Sequence, residues 1–287
     1  MLSALLGLLG SVVYGASDFL GGMAAGRMRA ERVTAINSLV GVTLLSLAAL
    51  VFGADFSAGA VLWGAVAGVA GVFALVLLYA CLAIGPMSIL APIMALVSAV
   101  VPIGIALGRG DRLSPAGYLG LAVGLIAVVL ICFVPGAKVI RPSPRSVMLA
   151  IGAGVAVGLY LFFLDLAPDD SGLAPLVLVF AVSAPLAWGA VLVRRIAQGP
   201  GPVAPVEPWW RGGVALSVYS AVTDAVASTL LLLALRLGSL AVVSVLSALS
   251  PAGTILLAAL VLKERVAVVQ WIGLAVALAA AALLALA

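Results

Sequence analysis

Residues 212–261 read GGVALSVYSAVTDAVASTLLLLALRLGSLAVVSVLSALSPAGTILLAALV, fifty positions with only Asp224 and Arg236 charged. An α-helix rises 1.5 Å per residue, so as one rod this stretch would far exceed a hydrocarbon core of about 30 Å, which about 20 residues cross. The chain must fold back on itself, and Gly238-Ser239 is the point at which it can turn. Two membrane helices joined by almost no loop are the unit from which the rest is read.

The composition extends that reading to the whole chain. Of 287 residues 66% are apolar and 8% charged, whereas a soluble domain needs about a quarter of its residues charged to wet its exterior. Cutting at charges and Gly/Pro turns gives ten apolar segments, at 2–25, 33–53, 60–84, 87–108, 114–134, 147–167, 173–193, 212–236, 239–262 and 267–287. They are long and lack the strict alternation of barrel strands, so an all-α integral membrane fold with ten transmembrane helices is expected. The first segment has no Lys or Arg before its long apolar run, and so reads as a helix of the mature protein and not as a signal peptide. Pro142 and Pro144 mark a linker between segments five and six; the loop from Arg194 to Arg211 holds Gly199-Pro200-Gly201-Pro202, Pro205 and Pro208 and reads as an extended linker.

Several functions are excluded at this level. The chain has no histidine, which removes His-based zinc sites and Ser-His-Asp chemistry. Cys81 and Cys132 lie in apolar runs and read as small hydrophobes. No GxxxxGK[ST] loop is present, so ATP is not used by this chain. The basic residues are scattered between apolar segments and form no patch for nucleic acid. No cofactor is expected, and the partners are the lipid bilayer, a small-molecule substrate and, in one reading, protons, with the chain acting as a monomer.

Basic residues also set an orientation. With membrane sides alternating from segment to segment, Arg109, Arg112 and Arg236 share the side of the N-terminus, and the other eleven Lys and Arg lie opposite. Cytoplasmic loops carry the excess of Lys and Arg, so both termini are expected outside a bacterial inner membrane, with Trp209-Trp210 anchoring segment eight at the cytoplasmic interface.

A shift of 153 residues aligns segments 3–5 with 8–10 without a gap. Leu77-Leu78 meets Leu230-Leu231, Gly85 meets Gly238, Asp111-Arg112 meets Glu264-Arg265, and Gly120-Leu121-Ala122-Val123 meets Gly273-Leu274-Ala275-Val276. Five helices per repeat is an odd number, so the second copy enters the membrane with reversed polarity. The expected organisation is a first five-helix repeat over 1–134, a linker over 135–146 and a second, inverted repeat over 147–287. Inverted repeats give two equivalent gates about one midplane site, the geometry of alternating access.

Ten helices in a five-plus-five repeat, the block from Leu235 to Gly273 with its Gly238 turn, Ser250-Pro251 and Leu262-Lys263-Glu264-Arg265, and the degenerate copy from Leu82 to Gly120 resemble the drug/metabolite transporter superfamily in its EamA-type branch. The opening Tyr14-Gly15-Ala16-Ser17-Asp18-Phe19 is similar to that of some members. The resemblance implies a non-enzymatic carrier, often an exporter of amino acids, metabolites or drugs. Many members are described with cytoplasmic termini, opposite to the charge count here.

Two charged residues lie away from loops and helix ends, Asp18 and Asp224. An aspartate at the centre of a membrane helix costs about 2.5–3.5 kcal/mol on the insertion scale, so it faces a cavity, a partner or a proton path. Ser217, Ser220, Asp224 and Ser228 recur at spacings of three and four and share one helix face. Ser244, Ser247, Pro251 and Thr254 form a second stripe, and Ser88, Pro92, Ser98 and Pro102 a third. Pro92, Pro102 and Pro251 free backbone carbonyls and are candidate hinges. Tyr14, Asn37, Tyr79 and Tyr160 complete the intramembrane polar set, which suits a small amphipathic solute such as an amino acid. Gly117, Gly120, Gly124, Gly273 and Ala277 are small-residue spacings for scaffold packing of segments five and ten. The leading expectation is a secondary carrier, a proton-coupled exporter in one form and a facilitator or channel in another. A two-aspartate intramembrane protease is the remaining alternative, against which stands the absence of a Gly-X-Gly-Asp setting at either acid.

Overall fold

The computed structural model describes residues 2–84, 87–133, 142–198, 213–261, 263 and 266–286, with the side chains of Tyr79, 81–84, 87–89, 91 and 92 not described. The helices are α1 (Leu2–Ala25), α2 (Ala30–Phe52), α3 (Ala58–Ile84), α4 (Met87–Gly108), α5 (Pro115–Cys132), α6 (Pro144–Asp165), α7 (Ala174–Gln198), α8 (Gly213–Leu237), α9 (Leu240–Ser247), α10 (Ser250–Val261) and α11 (Val268–Ala285). Nine stretches among the described residues are long and apolar enough to cross a membrane, α9 and α10 counting as one, and Ile93–Gly108 is a shorter apolar helix beside them. Ser114, Ser143 and Ser239 accept hydrogen bonds from backbone amides at the starts of α5, α6 and α9, and proline occupies the first turn of α5 and α6, where its missing N–H costs nothing. The exterior is apolar: Leu50, Phe73, Leu62 and Leu278 are all exposed.

One segment departs from expectation. The ninth, read as continuous over 239–262, is broken at Ala248-Leu249 into α9 and α10. Pro251 has no N–H to offer the carbonyl of Ser247, so the i→i−4 ladder lapses. Tighter bonds replace it, Leu249 N–H to Leu246 O at 3.1 Å and Ala252 N–H to Leu249 O at 2.9 Å. By contrast α4, the counterpart of this segment, runs through Pro102 without a break, with the Pro102 ring packed where a Cβ on Gly158 of α6 would stand.

The helix pairings come in matching sets. α1 lies along α8 as α6 lies along α3; α2 packs on α8 as α7 packs on α3; α10 packs on α1 as α4 packs on α6; and α5 pairs with α11. The α5–α11 contact is the sharpest case. A Cβ on Gly120 would stand 3.1 Å from the backbone nitrogen of Leu284, and one on Gly273 would stand 2.8 Å from that of Ile131. The 153-residue shift carries Gly120 to Gly273 and Ile131 to Leu284, so each contact is the image of the other. The expected scaffold packing of segments five and ten is thus present, with Gly124 set instead against Val245 of α9.

At one end of the bundle, the N-terminal face, the connections interlock. Leu173 N–H bonds Gly53 O, Asp55 N–H bonds Ser171 O at 3.1 Å, and Ser3 Oγ bonds Ala234 O at 2.9 Å beside the Gly238 turn. At the other end, Glu31 of α2 pairs with Arg194 of α7. The expectations that concern 134–141, the loop 199–212 with Trp209-Trp210, and Glu264-Arg265 lie outside the described residues.

Candidate functional site

α1 and α8 run antiparallel, and a reciprocal clamp fixes their register. Ser17 Oγ donates to Ser220 O at 2.9 Å, and Ser220 Oγ donates to Ser17 O at 2.9 Å. Interhelical bonds of this kind are worth about 0.6–2 kcal/mol each in a bilayer, where the backbone has no water to turn to. Asp18 is the next residue along α1, and Asp224 sits one helical turn beyond Ser220 on α8. The clamp therefore sets the relative height of the two intramembrane acids.

Asp224 sits where four helices converge. Tyr14 of α1 and Asn37 of α2 lie within hydrogen-bonding reach of its carboxyl. Tyr14 Oη is 3.3 Å from Ser228 Oγ, one turn along α8, and Tyr160 of α6 reaches both Tyr14 and Ser228. Asp18 is within electrostatic range of Asp224. Tyr14, Asn37, Tyr160 and Asp224 are partly buried, and Asp18 is exposed. That exposure is not toward lipid. At 100° per residue, Asp18 projects from the side of α1 opposite Leu2, Leu5 and Leu9, the exposed apolar face. One turn further, a Cβ on Gly22 would meet nothing within 4 Å. Asp18 therefore keeps its accessible surface on the side of α1 away from the exposed leucines, with Gly22 beside it unobstructed.

The other sequence candidates fall elsewhere. Ser217 is fully buried, donating to Gly213 O at 2.8 Å against the Met28 sulfur, and Ser220 is consumed by the clamp. Ser98 is buried and bonded to Ala95 O within α4. Ser247 ends α9 and its side chain makes no hydrogen bond among the described residues, while Pro251 lies in the first turn of α10. The side chains of Tyr79 and Pro92 lie outside the described residues. Sequence reading passed over Ser17, whose hydroxyl matters only because α8 lies against it. Thr254, named in the second stripe, donates to Gly15 O at 3.1 Å where α1 crosses α10 and so serves packing.

Two arginines tie elements together at the N-terminal face. Arg109, at the end of α4, pairs with Asp165 at the end of α6 at 3.1 Å and lies over the Phe162 ring at 5.8 Å. Arg236 of α8 donates to Ser171 Oγ at 3.1 Å and to Gly172 O at 2.6 Å in the connection before α7. A cavity of about 410 Å³ lies outside the first pair, bordered by Arg112, Asp111 and the α8–α9 turn. Arg112 makes no ion pair with Asp111 among the described residues.

The comparisons with known proteins agree with this architecture. A solved crystal structure superposes on 99% of this chain and 98% of its own with a TM-score of 0.75, at 20% sequence identity, which establishes a shared fold. No curated protein matches the chain. Residues 144–286, from the start of α6 through α11, match the model of the EamA-like transporter family. Through that half, the chain belongs to the EamA-like transporter family of the drug/metabolite transporter superfamily, a multi-pass membrane transporter.

Proposed function

We propose that this chain is a secondary active exporter of a small amphipathic solute, moving it by alternating access in exchange for protons that titrate on Asp224 and Asp18. The observation that carries the reading is the placement of two carboxyls and two tyrosines against open space between helices of both halves, α1 and α2 from one and α6 and α8 from the other. An intramembrane acid that reaches water is a proton-binding site with a path to one side. The halves 1–134 and 147–287 rock about this chamber. The Arg109–Asp165 pair and the Arg236 contacts form the outer gate, closed in this conformation, and the chamber opens past Asp18 and Gly22 toward the face rich in Lys and Arg. That face is the cytoplasm of a bacterial cell, with both termini outside.

The gate supplies the test. Arg109 is half exposed, so its pair contributes only about 0.2–1 kcal/mol to closure. With Cys81 and Cys132 replaced by Ala, an Asn37→Cys variant is expected to react with a membrane-impermeant maleimide mainly from the cytoplasmic face. Adding Arg109→Ala should raise the rate from the outside by about two- to fivefold, the weight of that pair. A cysteine that never reacts from the outside, with or without Arg109, overturns alternating access at this chamber.

A further inference from the structure

We infer that the chamber selects organic amines: the solute binds as an ammonium ion shared between Asp224 and Asp18, with its apolar body against Tyr14 and Tyr160. The inference rests on the carrier reading of the same chamber and narrows it to one charge class.

Charge balance is the starting point. Among the described residues, every Lys and Arg lies in a connection or near a helix end. Arg109 and Arg236 are committed to the closed N-terminal face, and Arg194 pairs with Glu31 at the opposite face. The groups that face Asp224 are Tyr14 and Asp18 from α1, Asn37 from α2 and Tyr160 from α6, with Ser228 on its own helix. Among the described residues the set holds two acids, two phenols, an amide and a hydroxyl, and no cation. A carboxylate-bearing solute would bring a third negative group with nothing to receive it, in a setting where charge is poorly screened. That argues against simple carboxylates, and against zwitterionic amino acids, whose carboxylate also needs a basic partner.

An ammonium ion fits on each count. It brings three N–H donors to a site whose strongest acceptors are carboxyl oxygens. Its charge replaces the proton that otherwise neutralises a carboxyl in the bilayer interior, so each amine bound releases one proton and the charge of the site is unchanged. The two tyrosines present ring faces and hydroxyls beside the acids, an environment that favours an organic cation over a hydrated metal ion. Asn37 and Tyr14 lie within hydrogen-bonding reach of the Asp224 carboxyl, and Asp18 is exposed, so carboxyl oxygens of both acids remain to receive the ammonium N–H donors.

The test holds the apolar body constant and changes only the charge. The purified protein is titrated in detergent with phenethylamine, phenylalanine and phenylpropionate, one cation, one zwitterion and one anion built on the same ring. Phenethylamine is expected to bind, with release of a proton into weakly buffered solution and weaker binding as the pH falls. Phenylalanine and phenylpropionate should bind at least about thirtyfold more weakly, the scale of an uncompensated buried charge. Asp224→Asn should lose phenethylamine binding by a similar factor, while Asp224→Glu restores part of it and reports on the site in a folded chain. Comparable affinity for all three solutes, preference for either carboxylate, or no binding of phenethylamine overturns the inference. Sided labelling of Asn37→Cys keeps the two readings apart. Alternating labelling without amine selection removes the amine and leaves the carrier; amine selection without alternation does the reverse.

Discussion

Asp224→Asn is expected to abolish solute-driven proton movement while leaving the protein at least as resistant to unfolding as the parent. The two halves of this expectation have the same cause. An ionisable carboxyl in the middle of α8 burdens the folded protein, since a central aspartate costs about 2.5–3.5 kcal/mol on the insertion scale. Asparagine keeps the shape and the hydrogen-bonding reach to Asn37 and Tyr14 but cannot take or give a proton, so the burden and the activity leave together. A carboxyl retained only to tie helices together would behave in the opposite way, with stability falling and transport continuing. Proteoliposomes with an internal pH dye, challenged with amines, amino acids and sugars, separate the outcomes. The parent should acidify or alkalinise with at least one of these solutes and Asp224→Asn with none; proton movement that persists in the variant rules out a titrating role.

The largest effect on stability is expected where α1 crosses α10. A Cβ on Gly15 would stand 2.4 Å from the backbone oxygen of Ser250 and 2.6 Å from the backbone nitrogen of Thr254. Gly253 is as confined from the other side, its Cβ position lying 2.6 Å from Val12 O. Both obstacles are main chain, which cannot turn aside as a flexible side chain can. Gly15→Val must push the helices apart and break the bond from Thr254 Oγ1 to Gly15 O. The expected loss is about 3 kcal/mol or more, at the upper end of overpacking. Gly104→Ala on α4 is the matched control: nothing lies within 4 Å of its Cβ position, and alanine gains up to about 1 kcal/mol over glycine within a helix. Unfolding in mixed micelles should order the variants Gly104→Ala, parent, Gly15→Val. Equal stability of Gly15→Val and the parent would mean that this crossing is not tightly packed.

These cases show what the residues alone could reveal. The spans were legible because a bilayer sets helix length, and the repeat because acid–Arg and GLAV blocks recur at a fixed shift; the swapped contacts of Gly120 and Gly273 then follow from it. Asp224 stood out because its cost demands a reason. Asn37 and Tyr160 stood out as intramembrane polar residues but not as its neighbours, since they lie nearly two hundred and about sixty positions away, and which helix lies beside which is not written in periodicity. The serine stripe on α8 marks the limit most plainly. Spacing of three and four puts Ser217, Ser220 and Ser228 on one face, but that face is covered by Met28, Ser17 and Tyr14 in turn, so all three serines are buried and only Asp224 keeps accessible surface. The break before Pro251 belongs to the same class: proline signals that the ladder must lapse, and packing decides that it lapses at Ala248-Leu249 while α4 stays whole through Pro102.

Whether water stands beside these acids is measurable directly. X-ray hydroxyl-radical footprinting of the protein in lipid nanodiscs oxidises aromatic rings in proportion to the water around them. Tyr14 and Tyr160, half-buried within the bundle, are expected to be modified readily, and Phe73, exposed on the lipid-facing side of α3, to be spared. Protection of both tyrosines to the level of Phe73 would mean a dry interior, and with it no route for a proton or a solute to Asp224.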